Sequence, residues 1–147
     1  MKVVNRRARY NYDLYDNFEA GIVLSGAEVK SVKMGKISLE EAFARVSEDG
    51  EAWLYNAHIH PYKFADNRDY KPTRSRKLLL HKKQIISLKS KMEAKKLSLV
   101  PVSCYTKGRV VKMELALGKG KKRWDKREAI KRRDIERQVE RELTRPE

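Results

Sequence analysis

Cysteine is all but missing from this chain: among 147 residues there is one, Cys104. A lone cysteine forms no internal disulfide, so a reducing compartment, the cytoplasm, is the expected setting. Histidine is nearly as scarce. His58 and His60 would share one strand face and His81 stands apart, with no cysteine or acidic partner close by in sequence, so no zinc site and no other metal site is expected. No apolar run approaches the ~20 residues that cross a bilayer. The opening MKVVNRRARY has no apolar signal-peptide core, because Asn5-Arg6-Arg7 follow Val3-Val4 at once. Catalytic sets are absent too. Glu40-Glu41 and Asp49 sit beside turn or cap signals, where carboxylates are structural. GKGKK, residues 118–122, lacks the spacing of a phosphate-binding loop, and no nucleophile–base pair stands out. Neither an enzyme nor a bound cofactor is expected.

The largest deficit is negative charge: 20 Asp+Glu against 35 Lys+Arg, a formal net charge of +15. Such an excess attracts polyanions before any contact forms. Nucleic acid is the first candidate partner and an anionic membrane the second. The cations cluster beside aromatic residues. NRRARYNY sets Arg6, Arg7 and Arg9 next to Tyr10 and Tyr12, and PTRSRK sets Arg74, Arg76 and Lys77 ahead of Leu78-Leu79-Leu80. Phosphate contacts combined with stacking on unpaired bases are the chemistry of RNA recognition.

Up to Gly118 the chain reads as short strands. The Ile22-Val23-Leu24 run stops at Ser25-Gly26. AFARVSEDGEAWLYNAHIH predicts a hairpin turning at Asp49-Gly50, with Trp53, Tyr55, Ala57 and Ile59 sharing a face. LSLVPVSCYTKGRVVKMELALG predicts a second, turning near Lys107-Gly108, with Val111, Met113, Leu115 and Leu117 on one face and Pro101 marking an edge strand or a bulge. Two helices are expected between strands. Ser25 and Glu28 have capping-box spacing, with Gly35 as the stop, and Ile85, Leu88 and Met92 form a stripe among lysines. The stretch from His60 to Lys77 has no period. The expected fold is mainly β: a five- or six-stranded, partly open OB-type small β-barrel with flanking α-helices, covering residues 1–118.

Residues 119–147 are expected to be a basic C-terminal tail. On a helix, Ile135, Val139 and Leu143 make one thin apolar line and Arg133, Arg137, Arg141 and Arg145 another. So little apolar surface cannot hold the helix on a barrel, and like charges at i+4 oppose it. The tail should be disordered when free and become helical when bound to a phosphate-lined groove.

Three blocks in order, FEAGIVLSGAEVKSVKMGK (18–36), RKLLLHKKQI (76–85) and LALGKGKKRWDKRE (115–128), resemble the SsrA-binding protein family, also called small protein B. Their spacing matches, and the likeness runs through essentially the whole chain. The resemblance implies an adaptor, a monomer, that binds the tRNA-like half of transfer-messenger RNA (tmRNA, or SsrA RNA). It would deliver that RNA to stalled ribosomes for trans-translation and place its tail in the decoding centre and empty message channel, against small-subunit ribosomal RNA. The elongation factor for aminoacyl-tRNA is a further partner implied through the tmRNA complex; a membrane is not. Matched to the family motifs, Arg9, Glu19, Glu28, Lys30, Lys33, Arg76, Lys77, Leu79 and His81 are the implied tmRNA-binding residues. Lys121, Lys122, Trp124, Asp125, Lys126 and Arg127 are the implied decoding-centre contacts. Trp124 stands where members more often carry His or Tyr, which keeps a π-face for stacking. Lys71 stands where an acidic residue before proline is usual. Two other readings fit charge and size, an ordinary small ribosomal protein and an RNA-processing enzyme, the latter without a catalytic set.

Overall fold

The computed structural model describes residues 1–121 and 137. Strand β1 (Lys2–Val4) leads into a short helix α1 (Arg6–Asn11), then a long strand β2 (Tyr12–Ile22), helix α2 (Gly26–Lys33), β3 (Ile37–Ser38), β4 (Phe43–Val46), β5 (Ala52–Tyr55), β6 (His58–Ile59) and β7 (Arg76–Leu79). Helix α3 (Lys82–Lys95) and the long hairpin β8 (Ser98–Lys107) and β9 (Val110–Gly120) follow. The strands pair antiparallel in the order β8-β4-β5-β7-β2-β9, and β9 pairs back onto β8, which closes a six-stranded barrel; β1 pairs with β8 at Ser103–Tyr105, along the same edge that meets β4 at Leu99, and β3 and β6 form a separate pair. The β4–β8 seam is the thinnest, joined at Ala44↔Leu99.

The hairpins turn where the local chemistry requires. Gly50 and Gly108 have φ of 78° and 63°, a left-handed conformation that glycine adopts without a Cβ clash. Val111, Met113, Leu115 and Leu117 are all buried in the main core, as the alternation of β9 predicts. The expected single face in the other hairpin does not hold. Ala52 and Leu54 point inward from β5, and Ala57 and Ile59 are buried next, while Trp53 and Tyr55 are only half-buried. The cause is Asn56, whose φ of 59° inserts one left-handed residue and shifts the inward phase by one. Tyr55 then stacks on its cross-strand neighbour Phe43, with ring centres 5.2 Å apart.

Helix α2 begins with the predicted capping box. Glu28 N–H donates to Ser25 Oγ (3.2 Å) and Ser25 N–H to Glu28 Oε1 (3.0 Å). In α3, Ile85 and Leu88 are buried and Met92 packs against the core. Pro101 lies in a bulge of an interior strand, where the register with β9 shifts between Pro101 and Ser103. The carbonyls at this irregular point are taken up by Asn5: its N–H donates to Val102 O (2.7 Å) and its side-chain amide to Pro101 O (2.9 Å). That anchors α1, a helix with no periodic apolar signal and one buried side chain, Ala8.

The expected boundary after Gly118 falls inside β9, which pairs with β2 as far as Tyr12↔Gly120. Gly118 lies where β8, β9 and β2 crowd together. A Cβ there would stand 2.7 Å from Val100 Cγ2 and 3.1 Å from Tyr12 Cβ. Valine is stiff and Tyr12 Cβ is tied to its backbone, so neither yields easily. Gly118→Ala is expected to cost about 1–3 kcal/mol through overpacking, read as a lower urea midpoint with an unchanged denaturant slope.

Candidate nucleic-acid interface

Arg76 enters from β7 and is fully buried, and Glu28, from the first turn of α2, is 1% exposed. Their side chains meet. Arg76 Nε donates to Glu28 Oε2 at 2.7 Å, Nη1 to Ala57 O at 2.6 Å and Nη2 to Pro72 O at 2.8 Å. Arg74 adds a second guanidinium, through Nη2 to Glu28 Oε1 and through Nε to Oε2 at 3.2 Å. Tyr70 Oη lies 3.2 Å from Glu28 Oε2 and 2.9 Å from Ile59 O. Burial pushes the Glu28 carboxyl up. The hydrogen bonds from Arg74, Ser25 N–H and Arg76 more than offset that and hold it at about 2. These two expected RNA contacts therefore lie inside the protein, where they join α2, the loop before β7 and β7 itself.

Glu19, Leu79 and His81 come together elsewhere. With Gly21, Leu80, Gln84 and Lys112 they line an open groove of about 440 Å³. Glu19 and Gly21 come from β2, Leu79 ends β7, and His81 caps α3, with its N–H donating to Gln84 Oε1 at 3.1 Å. Gly21 pairs with Leu79, and a Cβ at Gly21 would stand 3.1 Å from Leu79 Cβ, so glycine lets the leucine lie across the strand. Leu79 is 52% exposed, unusual for a leucine at the end of a buried strand run. The Glu19 carboxylate accepts from the Tyr105 hydroxyl and lies 3.8 Å from Lys107 Nζ. Burial, and then Glu19, push the Tyr105 hydroxyl up to about 12, so it stays a donor.

The other expected residues are scattered over the surface. Lys30 and Lys33 are exposed on α2, with Lys30 Nζ 5.4 Å above the Tyr62 ring. Lys77 pairs with Glu51 at 3.3 Å. Arg9 is exposed on α1, and its carbonyl accepts from Lys121 Nζ at 2.9 Å, while Lys121 N–H donates to Asn11 O. Lys121 thus ties the end of β9 to α1. Lys122, Trp124, Asp125, Lys126 and Arg127, and the tail's expected order, lie outside the described residues. Sequence reasoning missed Lys112 and Gln84 in the groove and Tyr70 in the buried cluster. The alternation of β9 does put Lys112 opposite Val111 and Met113; nothing local signals Tyr70. Among the described residues no group of three or more His, Cys, Asp or Glu could hold a metal, and no helix is long and apolar enough to cross a membrane. Cys104 is buried and its thiol is pushed up to about 12.

A family model described as "SmpB protein" matches residues 2–145. The SsrA-binding protein of Carboxydothermus hydrogenoformans is 48% identical over 139 residues, 95% of this chain and 93% of that one. That of Chloroflexus aggregans is 50% identical over 142 residues, covering 96% and 89%. A chain from a solved structure described as "tmRNA-SmpB: a journey to the center of the bacterial ribosome" superimposes with a TM-score of 0.69 at 44% identity, over 88% of this chain and 94% of that one.

The buried carboxylate has a signature in acid. Its pKa is depressed on folding, so its stabilisation is complete above the ordinary value of 4.5 and is lost as pH falls toward about 2. Glu28→Gln leaves Arg76 buried without a counter-charge, at a cost of about 3–5 kcal/mol. Urea melts across that acid window should show falling stability in the wild type and a flatter profile in the variant.

Proposed function

Because the chain belongs to the SmpB protein family, we propose that it is a tmRNA-binding adaptor for trans-translation, which brings tmRNA to stalled ribosomes and rescues them. The observation that carries this reading beyond the family match is the groove, which gathers Glu19, Leu79 and His81 on an otherwise strongly cationic surface. An exposed leucine beside a hydroxyl-bound carboxylate and an imidazole suits the sugar edges and unpaired bases of a folded RNA, where shape, stacking and 2′-hydroxyl contacts decide recognition. Lys30, Lys33, Lys77 and Arg9 would add phosphate contacts, which position without selecting. Glu28 and Arg76 would act from inside, by holding β7 and α2 in register.

The work divides along the chain. The barrel unit would grip tmRNA, and the basic tail after it would enter the decoding centre and message channel of the small subunit, with Lys122, Trp124, Asp125, Lys126 and Arg127 as its contacts. Lys121 would set the direction in which the tail leaves the barrel. The protein needs no chemistry of its own for this, and its place is the cytoplasm.

Two measurements test the reading. At fixed salt the full chain should bind tmRNA more tightly than elongator tRNA, and Leu79→Ala should weaken tmRNA binding without lowering the melting temperature. A chain ending after Lys121 should keep tmRNA affinity and lose tagging on stalled ribosomes. Equal affinity for both RNAs, or loss of tmRNA binding on truncation, would overturn the assignment.

A further inference from the structure

Residues 60–75 join β6 to β7 without regular structure, yet the path is held closely. Ile59 N–H donates to Pro72 O at the base of the loop (3.0 Å). Inside it, Asn67 Nδ2 and Ala65 N–H both donate to Tyr62 O, at 2.8 and 3.1 Å, and Tyr70 N–H donates to Asn67 O. Tyr70 and Arg74 then tie the loop to the buried Glu28 carboxylate. At the tip, Phe64 is 80% exposed, the most exposed large apolar side chain among the described residues. It meets Tyr62 edge to face, with ring centres 5.5 Å apart. Lys63 Nζ lies 5.7 Å from the Phe64 ring centre and Lys30 Nζ 5.4 Å from that of Tyr62. The carboxylate nearest in sequence, Asp66, is already engaged by Arg68, Nε to Oδ1 at 3.1 Å and Nη2 to Oδ2 at 2.9 Å.

A phenyl ring held in water on a well-bonded loop offers apolar surface to an occupant, and its surroundings limit the choice. The ring is largely open to solvent and is flanked by ammonium groups. A protein partner's apolar anchor would seek a pocket instead. A nucleobase carried on a phosphate chain matches both the π-face and the charge.

We propose that Tyr62 and Phe64 form an aromatic platform on which an unpaired RNA base stacks, while Lys63 and Lys30 meet the adjoining phosphates. This platform is a second RNA contact, built from other residues than the groove of Glu19, Leu79 and His81, and it rests on the RNA-adaptor reading. The base belongs either to tmRNA or to ribosomal RNA; stacking on Phe64 is common to both.

The test uses the full chain in two titrations at several salt concentrations, one with a tmRNA transcript and one with message-free small ribosomal subunits. Phe64→Ala should lose roughly 5- to 150-fold in affinity in one of them, the worth of one stacked base, with the slope of log K against log salt unchanged. Phe64→Trp should bind like the wild type. Lys63→Ala should reduce the slope by about 0.7, as for one phosphate contact. Wild-type affinity of Phe64→Ala in both titrations overturns the platform, and so does a Phe64→Leu variant that binds as well as phenylalanine. Either result alongside a clear preference of the wild type for tmRNA over elongator tRNA leaves the adaptor reading intact. Loss of that preference in the wild type overturns the adaptor reading, and the Phe64 variants in the same titrations still decide the platform.

Discussion

The buried pair of Glu28 and Arg76 constrains everything around it. Removing two charges from water costs several kcal/mol each, and the arrangement holds only if their hydrogen-bonding capacity is met inside the protein. Here it is. The Arg76 nitrogens reach Glu28, Ala57 O and Pro72 O, and the carboxylate also takes Arg74 and Ser25 N–H. Those partners come from α2, from the link between β5 and β6, and from the loop before β7, so one carboxylate fixes how these segments meet. Three residues beyond Arg76 the chain reaches Leu79, and two further on it reaches His81. A buried pair thereby sets the position of exposed side chains further along the chain.

Barrel closure provides the second level of organisation. The groove takes residues from β2, β7, β9 and the start of α3, which become neighbours only because β7 and β9 both flank β2. Positive charge follows another logic. It is spread over α1, α2 and α3 and stays at the surface because burying an unpaired ammonium is costly. Diffuse charge brings an anion close from any direction, whereas the groove offers a shape. The chain belongs to the SmpB protein family, and the tie between Lys121 and α1 joins the barrel to the basic segment that follows.

Features carried by neighbouring residues were readable before any coordinates. The turns at Asp49-Gly50 and Lys107-Gly108, the Ser25–Glu28 capping box, the inward face of β9 and the irregularity at Pro101, an edge or a bulge, each depend on a few consecutive side chains and on backbone preferences. Where the reading failed, the cause was equally specific. Alternation through Trp53, Tyr55, Ala57 and Ile59 assumed an unbroken strand, and left-handed Asn56 broke it. Helix α1 had no apolar stripe to announce it, because Asn5 holds it to two carbonyls of a distant strand. Arg76 looked like one more surface cation in a basic run, and it is fully buried.

Sequence by itself determined the sign and size of the charge, the mainly β character, the sites of the tight turns and the family motifs, since composition and short-range geometry suffice for these. Tertiary structure decided which cations face water, which acid is locked beneath the surface, and that Glu19 shares a groove with Leu79 and His81. The physical reason is separation along the chain: Glu28 and Arg76 are 48 residues apart, and only a closed barrel brings them within 2.7 Å.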